Sequence, residues 1–185
     1  MRCLAVLLIC GGVAGCGGGP IANSPPPLTT AERLGLFADL SDQASELDVL
    51  FNAPTSGSAV YAGLATLVMD PDASAPVFLI GDVAIEANFS NLSFLGAIER
   101  LTDTATNDLI GELDLLEGTI AISGLEARLS GELSLPAATF DVDGGFRGAF
   151  LGANAEMIAG LADAGLRSGG DLVGTVSGAI FTQLP

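Results

Sequence analysis

The sequence predicts an all-β protein: a soluble eight-stranded antiparallel β-barrel preceded by a short N-terminal helical segment. One observation is strict period-two patterning over most of the chain after residue 57. Another is that polar turn signals punctuate this region at short intervals, with no helix-length crossover between them. The third is glycine at alternate positions, as in Gly148, Phe150 and Gly152. Alternation marks a sheet with one dry and one wet face. Hairpins without crossovers give antiparallel order, and closing them removes both exposed edges. Alternate glycines weaken a strand unless backbone or side chains must approach closely there. An eight-stranded barrel has an interior that side chains just fill.

The chain starts with Met1, Arg2 and the apolar run Leu4 to Ile9, the charged start and short core of a secretory signal. The run is too short to cross a membrane as a helix. Val13-Ala14-Gly15-Cys16 follows, small residues before a cysteine, and resembles the bacterial lipobox. That resemblance implies cleavage after residue 15, acylation of Cys16, and stable anchoring, since two or three chains hold where one does not. Residues 1–15 are thus read as a lipoprotein signal peptide. Gly17 following Cys16, in place of an acidic residue, fits export to the outer membrane. Residues 16–28 form a Gly- and Pro-rich tether, GGGPIANSPPPL after the cysteine, that cannot build a core.

Residues 29–52 read as the one helix. Thr29 with Glu32 makes a capping-box pattern, and Leu34, Phe37, Leu40, Ala44, Leu47 and Phe51 recur at helical spacing. The stripe must bury against the side or end of the barrel, or against a partner. Ala53-Pro54-Thr55-Ser56-Gly57 then breaks the helix, and residues 53–185 make the barrel. Its strands are expected at Ser58–Met69, Asp82–Asn91, Leu92–Leu101, Thr119–Ser123, Ala127–Leu135, Thr139–Phe150, Ala155–Leu161 and Leu172–Phe181. Val83, Ile85, Ala87 and Phe89 share one face of the second, and Phe140, Val142, Phe146 and Phe150 one face of the sixth. Ile120 and Ile122 share a face of the fourth. Turns are expected at Asp70-Pro71-Asp72, Asp103–Asp108, Asp143-Gly144-Gly145 and Ser168-Gly169-Gly170. With no Trp and only Tyr61 as phenol, the barrel lacks the aromatic girdles of a membrane-spanning one.

Composition excludes much chemistry. The chain is 49% hydrophobic, too apolar for disorder. Six arginines and no lysine stand against 22 acids, for a net charge of −16 that becomes −17 without Arg2. Such a field repels phosphate backbones, so no nucleic-acid partner is expected. Histidine is absent and all three cysteines lie at or before Cys16. Ser-His-Asp and Cys-His catalysis, disulfides and the common zinc and iron sites are thereby removed from the folded part. Asp141-Val142-Asp143-Gly144-Gly145 lacks the further acids of a calcium loop and reads as a turn. The sequons at Asn88 and Asn91 mean little beside a bacterial lipobox. A lone Tyr61 without histidine is a poor iron ligand, and Glu156 has no second acid that the sequence places beside it. No cofactor, no metal and no enzymatic activity are expected.

Two motifs carry a family resemblance. Gly148 to Gly160 reads G-x-F-x-G-x-x-A-x-E-x-x-G, followed by the glycine-punctuated Leu172 to Phe181, and Pro54 to Gly63 reads P-T-S-G-x-A-x-Y-x-G. They resemble the end and the entry of the β-barrel of the transferrin-binding protein B family, bracketing nearly all of the folded part. On this resemblance Tyr61, Gly63, Gly148, Phe150, Gly152, Ala155, Glu156, Gly160 and Gly178 are structural motif positions. It implies a non-enzymatic binding module on the outer membrane or cell surface, for a protein or small-solute ligand, with an iron- or haem-acquisition link left open. The chain has one short barrel, no evident handle domain and few Trp, Tyr or Arg anchors for an interface, so transferrin itself is a doubtful ligand. The alternative is a structural or assembly lipoprotein of the envelope, facing the periplasm.

Overall fold

The computed structural model describes residues 28–50, 53–122 and 124–185. The signal segment, the lipobox with Cys16 and Phe51 lie outside them. One helix, α1 (Thr30–Glu46), precedes eight strands: β1 (Ser58–Pro71), β2 (Val77–Asn88), β3 (Ser93–Asp103), β4 (Leu109–Ala121), β5 (Gly124–Leu135), β6 (Ala138–Leu151), β7 (Met157–Ser168) and β8 (Asp171–Gln183). Each strand pairs antiparallel with the next, and β8 returns to β1, closing the barrel. The expected eight-stranded antiparallel barrel, preceded by a helix, is therefore the observed one. No helix among the described residues is long and apolar enough to cross a membrane.

One face of every strand fills the interior. Leu67, Met69, Leu79, Ile85, Phe94, Ile98, Leu113, Leu129, Phe146 and Ile180 are all buried in a single core cluster. Phe146 is the bulk around which its neighbours are cut away. A Cβ on Gly148 would lie 2.7 Å from the Phe146 ring, and one on Gly160 would run into the same ring. These two glycines occupy facing positions on β6 and β7, so the ring sits where two side chains are missing. Large against small is how a narrow interior packs without voids.

Strand bounds differ from the expected ones for physical reasons. β2 starts at Val77, earlier than Asp82, because Ile80 is fully buried on the outer face beneath the helix and erases the alternation. β4 starts at Leu109, much earlier than Thr119. Glu117 sits at φ 54° within a register shift between Leu116 and Thr119, a bulge whose extra residue resets the period. Arg100, at φ 50°, does the same in β3. Ile122 does not share the inner face with Ile120; it lies 79% exposed in the β4–β5 turn. Asp143-Gly144-Gly145 is not a turn: it runs through the middle of β6, paired to β5 and β7. Gly144 is there because Ala164 packs against its backbone. β7 continues past Leu161 to Ser168, its alanines Ala162 and Ala164 giving too little contrast to read.

The helix begins with the capping box: the Thr29 amide donates to Glu32 Oε2 at 2.8 Å and the Glu32 amide to Thr29 Oγ1 at 3.3 Å. It lies along the outside of the barrel over β1, β2 and β8. Leu40 and Ala44 bury with Leu151 and Met157 in a second, smaller core, and Phe37 meets Phe181 edge-on at 5.2 Å. Phe37, Leu40, Ala44 and Leu47 of the stripe thus pack on the barrel's side, while Leu34 stays 40% exposed. The helix stops at Glu46 instead of reaching residue 52, because Leu47 turns extended. Leu50 N–H then donates to Phe150 O and Gly152 N–H to Asp48 O, so residues 48–50 run beside the end of β6.

Near its start the helix is pinned by charge. Arg33, 7% exposed, places Nη2 3.1 Å from Asp82 Oδ1 of β2. It also donates to the Arg100 carbonyl and to Thr102 Oγ1 of β3, each at 3.2 Å.

Two alanine substitutions separate the crowded glycines from the free one. Gly160→Ala is expected to cost roughly 1–3 kcal/mol, because its methyl enters the Phe146 ring. Gly35→Ala, on the open side of α1 with nothing within 4 Å, is expected to gain about 1 kcal/mol from helix propensity. Urea unfolding of the two variants beside the wild type reads both signs.

Candidate functional site

Hairpins alternate between the two ends of the barrel. One end carries the β2–β3, β4–β5 and β6–β7 turns; the other carries β1–β2, β3–β4, β5–β6 and β7–β8. The loop that gathers the motif residues Gly152, Ala155 and Glu156 and an apolar mouth lie at opposite ends.

At the first end the β6–β7 loop, residues 152–156, folds down on the core. Gly152 is at φ 80° and Ala155 at φ 56°, and a side chain on Gly152 would overlap the Glu156 carboxylate. Tyr61 reaches up from β1, fully buried, and donates its phenol to the Ala155 carbonyl at 2.8 Å. Its ring lies 5.9 Å from Phe150, which in turn lies 5.5 Å from Phe89. The result is an aromatic plug, with Tyr61 holding the loop in its left-handed geometry. Glu156 accepts from the Asn154 side chain at 3.0 Å and the Asn154 amide at 3.3 Å. These bonds hold its carboxyl below the usual range. Its carbonyl accepts from Leu184 N–H at 2.9 Å.

The remaining motif positions lie elsewhere. Gly148 and Gly160 flank Phe146 in the interior, while Gly63 and Gly178 face Thr182 and Leu67 in the seam between β1 and β8. The structure therefore brings Tyr61, Phe150, Gly152, Ala155 and Glu156 around one loop and leaves the four glycines in the wall. Their contacts there are those of a closure: one hydrogen-bonded phenol, one capped carboxylate and backbone.

At the other end the interior opens into an apolar concavity of about 450 Å³. Phe140 and Leu135 form its floor, Pro71, Ala137 and Val173 its walls, and Asp72, Ser74 and Ser168 its polar rim. Three loops distant in sequence supply these residues, and none was a candidate from the sequence. The mouth falls within the roughly 300–1,000 Å³ of small-molecule sites, whose lining is typically apolar with a few polar groups. It can take an apolar group and offers an acceptor at its rim. Arg33, Asp82 and Arg100 also escaped sequence reading. The available signal was that arginine is scarce in this chain and one stands on the helix. Among the described residues no three His, Cys, Asp or Glu converge as a metal site would require.

No protein-family model matches the chain, and no curated protein matches it. Among solved structures, it is similar to a double alanine mutant of the vaccine antigen transferrin-binding protein B from Haemophilus parasuis Hp5. Identity is 16% and the TM-score 0.46, over 72% of this chain and 27% of that one. The chain thus matches little more than a quarter of that protein's length.

Burial first, and the nearby Glu156 charge second, push the Tyr61 phenol up to about 12 from its ordinary 10. A group whose folded pKa is raised stabilises fully below the unfolded value and loses that contribution as pH rises through the folded one. Stability is therefore expected to fall between pH 10 and 12. As the chain's only tyrosine, Tyr61 can be followed alone by phenolate absorbance. That signal should appear only as the barrel unfolds, and Tyr61→Phe should abolish this alkaline dependence while costing about 1 kcal/mol at neutral pH. A reversible titration near pH 10 in the folded protein would contradict the plug.

Proposed function

We propose that this chain is a non-enzymatic binding barrel of an exported bacterial lipoprotein, acylated at Cys16 and held at the outer membrane. The observation that carries the reading is the apolar mouth above Phe140, the opening of an otherwise packed, closed barrel. A filled interior leaves ends and flanks as the surfaces available to a ligand. The mouth is shaped for an apolar group of a small solute or for a side chain of a partner protein. The sequence resemblance to transferrin-binding protein B barrels supports the binding class and the surface location. The poverty in Trp, Tyr and Arg argues against reading transferrin as the ligand.

The tether reading agrees with where the helix starts. Thr30 Oγ1 donates to Asn107 Oδ1 of the β3–β4 loop at 2.5 Å, so α1 begins at the mouth end. From Cys16 to Leu28 the chain spans at most about 40 Å fully extended. That length suffices to hold a barrel end clear of a lipid surface.

Two measurements test this. The neutral dye N-phenyl-1-naphthylamine should brighten in the mouth, and Ala137→Asp, a change at an exposed position of its wall, should lose most of that gain. Equal brightening in both proteins would remove the mouth as a site. On intact cells, added protease should strip the barrel from the wild type. Cys16→Ser should leave no anchored protein to strip. If the wild type is protected until the outer membrane is opened, the periplasmic assembly reading replaces surface binding.

A further inference from the structure

A second concavity, about 700 Å³, lies on the flank at the mouth end, between the first turn of α1 and strands β2 to β4. Arg33, Asp82, Arg100, Thr102 and Asn107 supply its polar lining, and Leu28, Ala31 and Leu109 an apolar wall. We infer that this cavity binds a small molecule bearing an oxyanion, a carboxylate or a phosphate, on the guanidinium pair Arg33 and Arg100. The inference is independent of the apolar mouth and of the lipoprotein reading.

The charge count is the first argument. Five arginines follow Arg2 in a chain carrying 22 acids. Three of them each face one acid: Arg128 is paired to Asp143 at 2.9 Å, Arg147 lies opposite Glu126, and Arg167 opposite Asp141. The other two converge here on a single carboxylate. Arg33 takes Asp82 Oδ1 at 3.1 Å and Arg100 takes Oδ2. Two guanidinium groups thus share one carboxylate in a protein that is otherwise strongly negative. Two of the other nearby acids are held by their own backbone and side-chain partners. Glu32 is folded back on Thr29, and Asp103 holds Ala105 N–H and Thr106 Oγ1 within its own loop. Glu99 faces Asp82 across β2 and β3 and lines, with Arg100 and Leu109, the adjoining concavity. Asp108 sits exposed after Asn107 in the loop.

Donor supply is the second argument. Arg33 is 7% exposed, and its Nε, closed to solvent, forms no hydrogen bond; nor does Asp82 Oδ2, which meets Arg100 as an ion pair, and both states are expensive for buried charged groups. Arg100 is held in the left-handed region at φ 50°, which turns its carbonyl to Arg33 and leaves its side chain 64% exposed. The cavity is also lined by Thr30 and Ala31 of the first turn of a 17-residue helix. Amides there lack intrahelical partners and favour anions. Guanidinium forks and helix N-termini are matched to planar or tetrahedral oxyanions. The apolar wall of Leu28, Ala31 and Leu109 favours an anion with a short hydrocarbon body.

Titrating the ¹⁵N-labelled protein with inorganic phosphate and with hexanoate tests the site. The Arg33 and Arg100 Nε–H signals and the Asn107 amides should shift saturably for one or both. Arg100→Gln should weaken binding by about tenfold, the worth of one charge-assisted hydrogen bond, and Arg128→Gln should not change it. Thr30→Glu, which places a like charge at the rim without touching the core, should abolish binding with the amide spectrum otherwise intact. Hexanoate alone would mark a carboxylate with an apolar body, phosphate alone a tetrahedral head, and either supports the site. No saturable shift with either probe, or equal affinities in Arg100→Gln and Arg128→Gln, overturns it.

Discussion

Closing eight strands into a barrel leaves an interior about one layer of side chains wide, and the remaining features follow from that limit. Volume added at one inward position must be removed at its neighbours. Phe146 enters the centre where Gly148 and Gly160 supply no side chain, and Ala164 packs against Gly144. The seam between β1 and β8 obeys the same limit: side chains at Gly63 and Gly178 would run into the backbone of the facing strand. Buried Leu, Ile and Phe then fill the space among the described residues, so the barrel is a packed body. Function moves to its ends and flanks.

The flank is why the helix is part of the fold. Leu64 and Ile80 are out of phase with the interior, and Leu151, Met157 and Phe181 form the smaller outer core. Left bare, they would make an apolar stripe across five strands. α1 covers it with Leu40, Ala44 and Phe37, a modest apolar contribution for a helix of this length. Its position is fixed at each end by polar contacts: Arg33 on Asp82 near the start, and the backbone of residues 48–50 beside β6 after the finish. The ion pair is partly open to water, Asp82 being 27% exposed. It therefore serves more to set the helix's place than to add stability.

Most of the barrel was legible because its signal is local. Alternation in β5 and β6 follows from two-sided strands whose neighbours differ sharply in polarity, as in Leu129 and Leu133 against Arg128, Ser130 and Glu132. Legibility failed where a strand has two dry faces, as at Ile80, or where a bulge resets the period, as at Arg100 and Glu117. It also failed at Gly144, where a glycine required by cross-strand contact looks identical in sequence to one required by a turn. Tyr61 and the 152–156 loop could be singled out by their spacing, but the bond between them joins residues far apart in sequence, and only the structure shows it. The mouth and the arginine pair were illegible for the same reason. Each is assembled from three or more elements, and no segment contains enough of either to stand out.

Distribution of charge gives the flank cavity its meaning. Outward positions on β4, β5 and β6 align Glu112, Glu132 and Asp141 across successive strands, and like charges placed directly opposite one another are unfavourable. A chain that tolerates such a row has little use for positive charge in folding its sheet. Its arginines elsewhere sit singly against acids, and one of them would have sufficed to pin α1 to Asp82. The second guanidinium, Arg100, is mostly exposed and rests on a bulge whose left-handed backbone is costly for a residue with a Cβ. Its carbonyl bond to Arg33 accounts for the bulge but not for an arginine at that position, since any residue has a carbonyl. The Arg100 side chain rests on Asp82 at the edge of the cavity, and an anion is the occupant that two guanidinium groups sharing one carboxylate select.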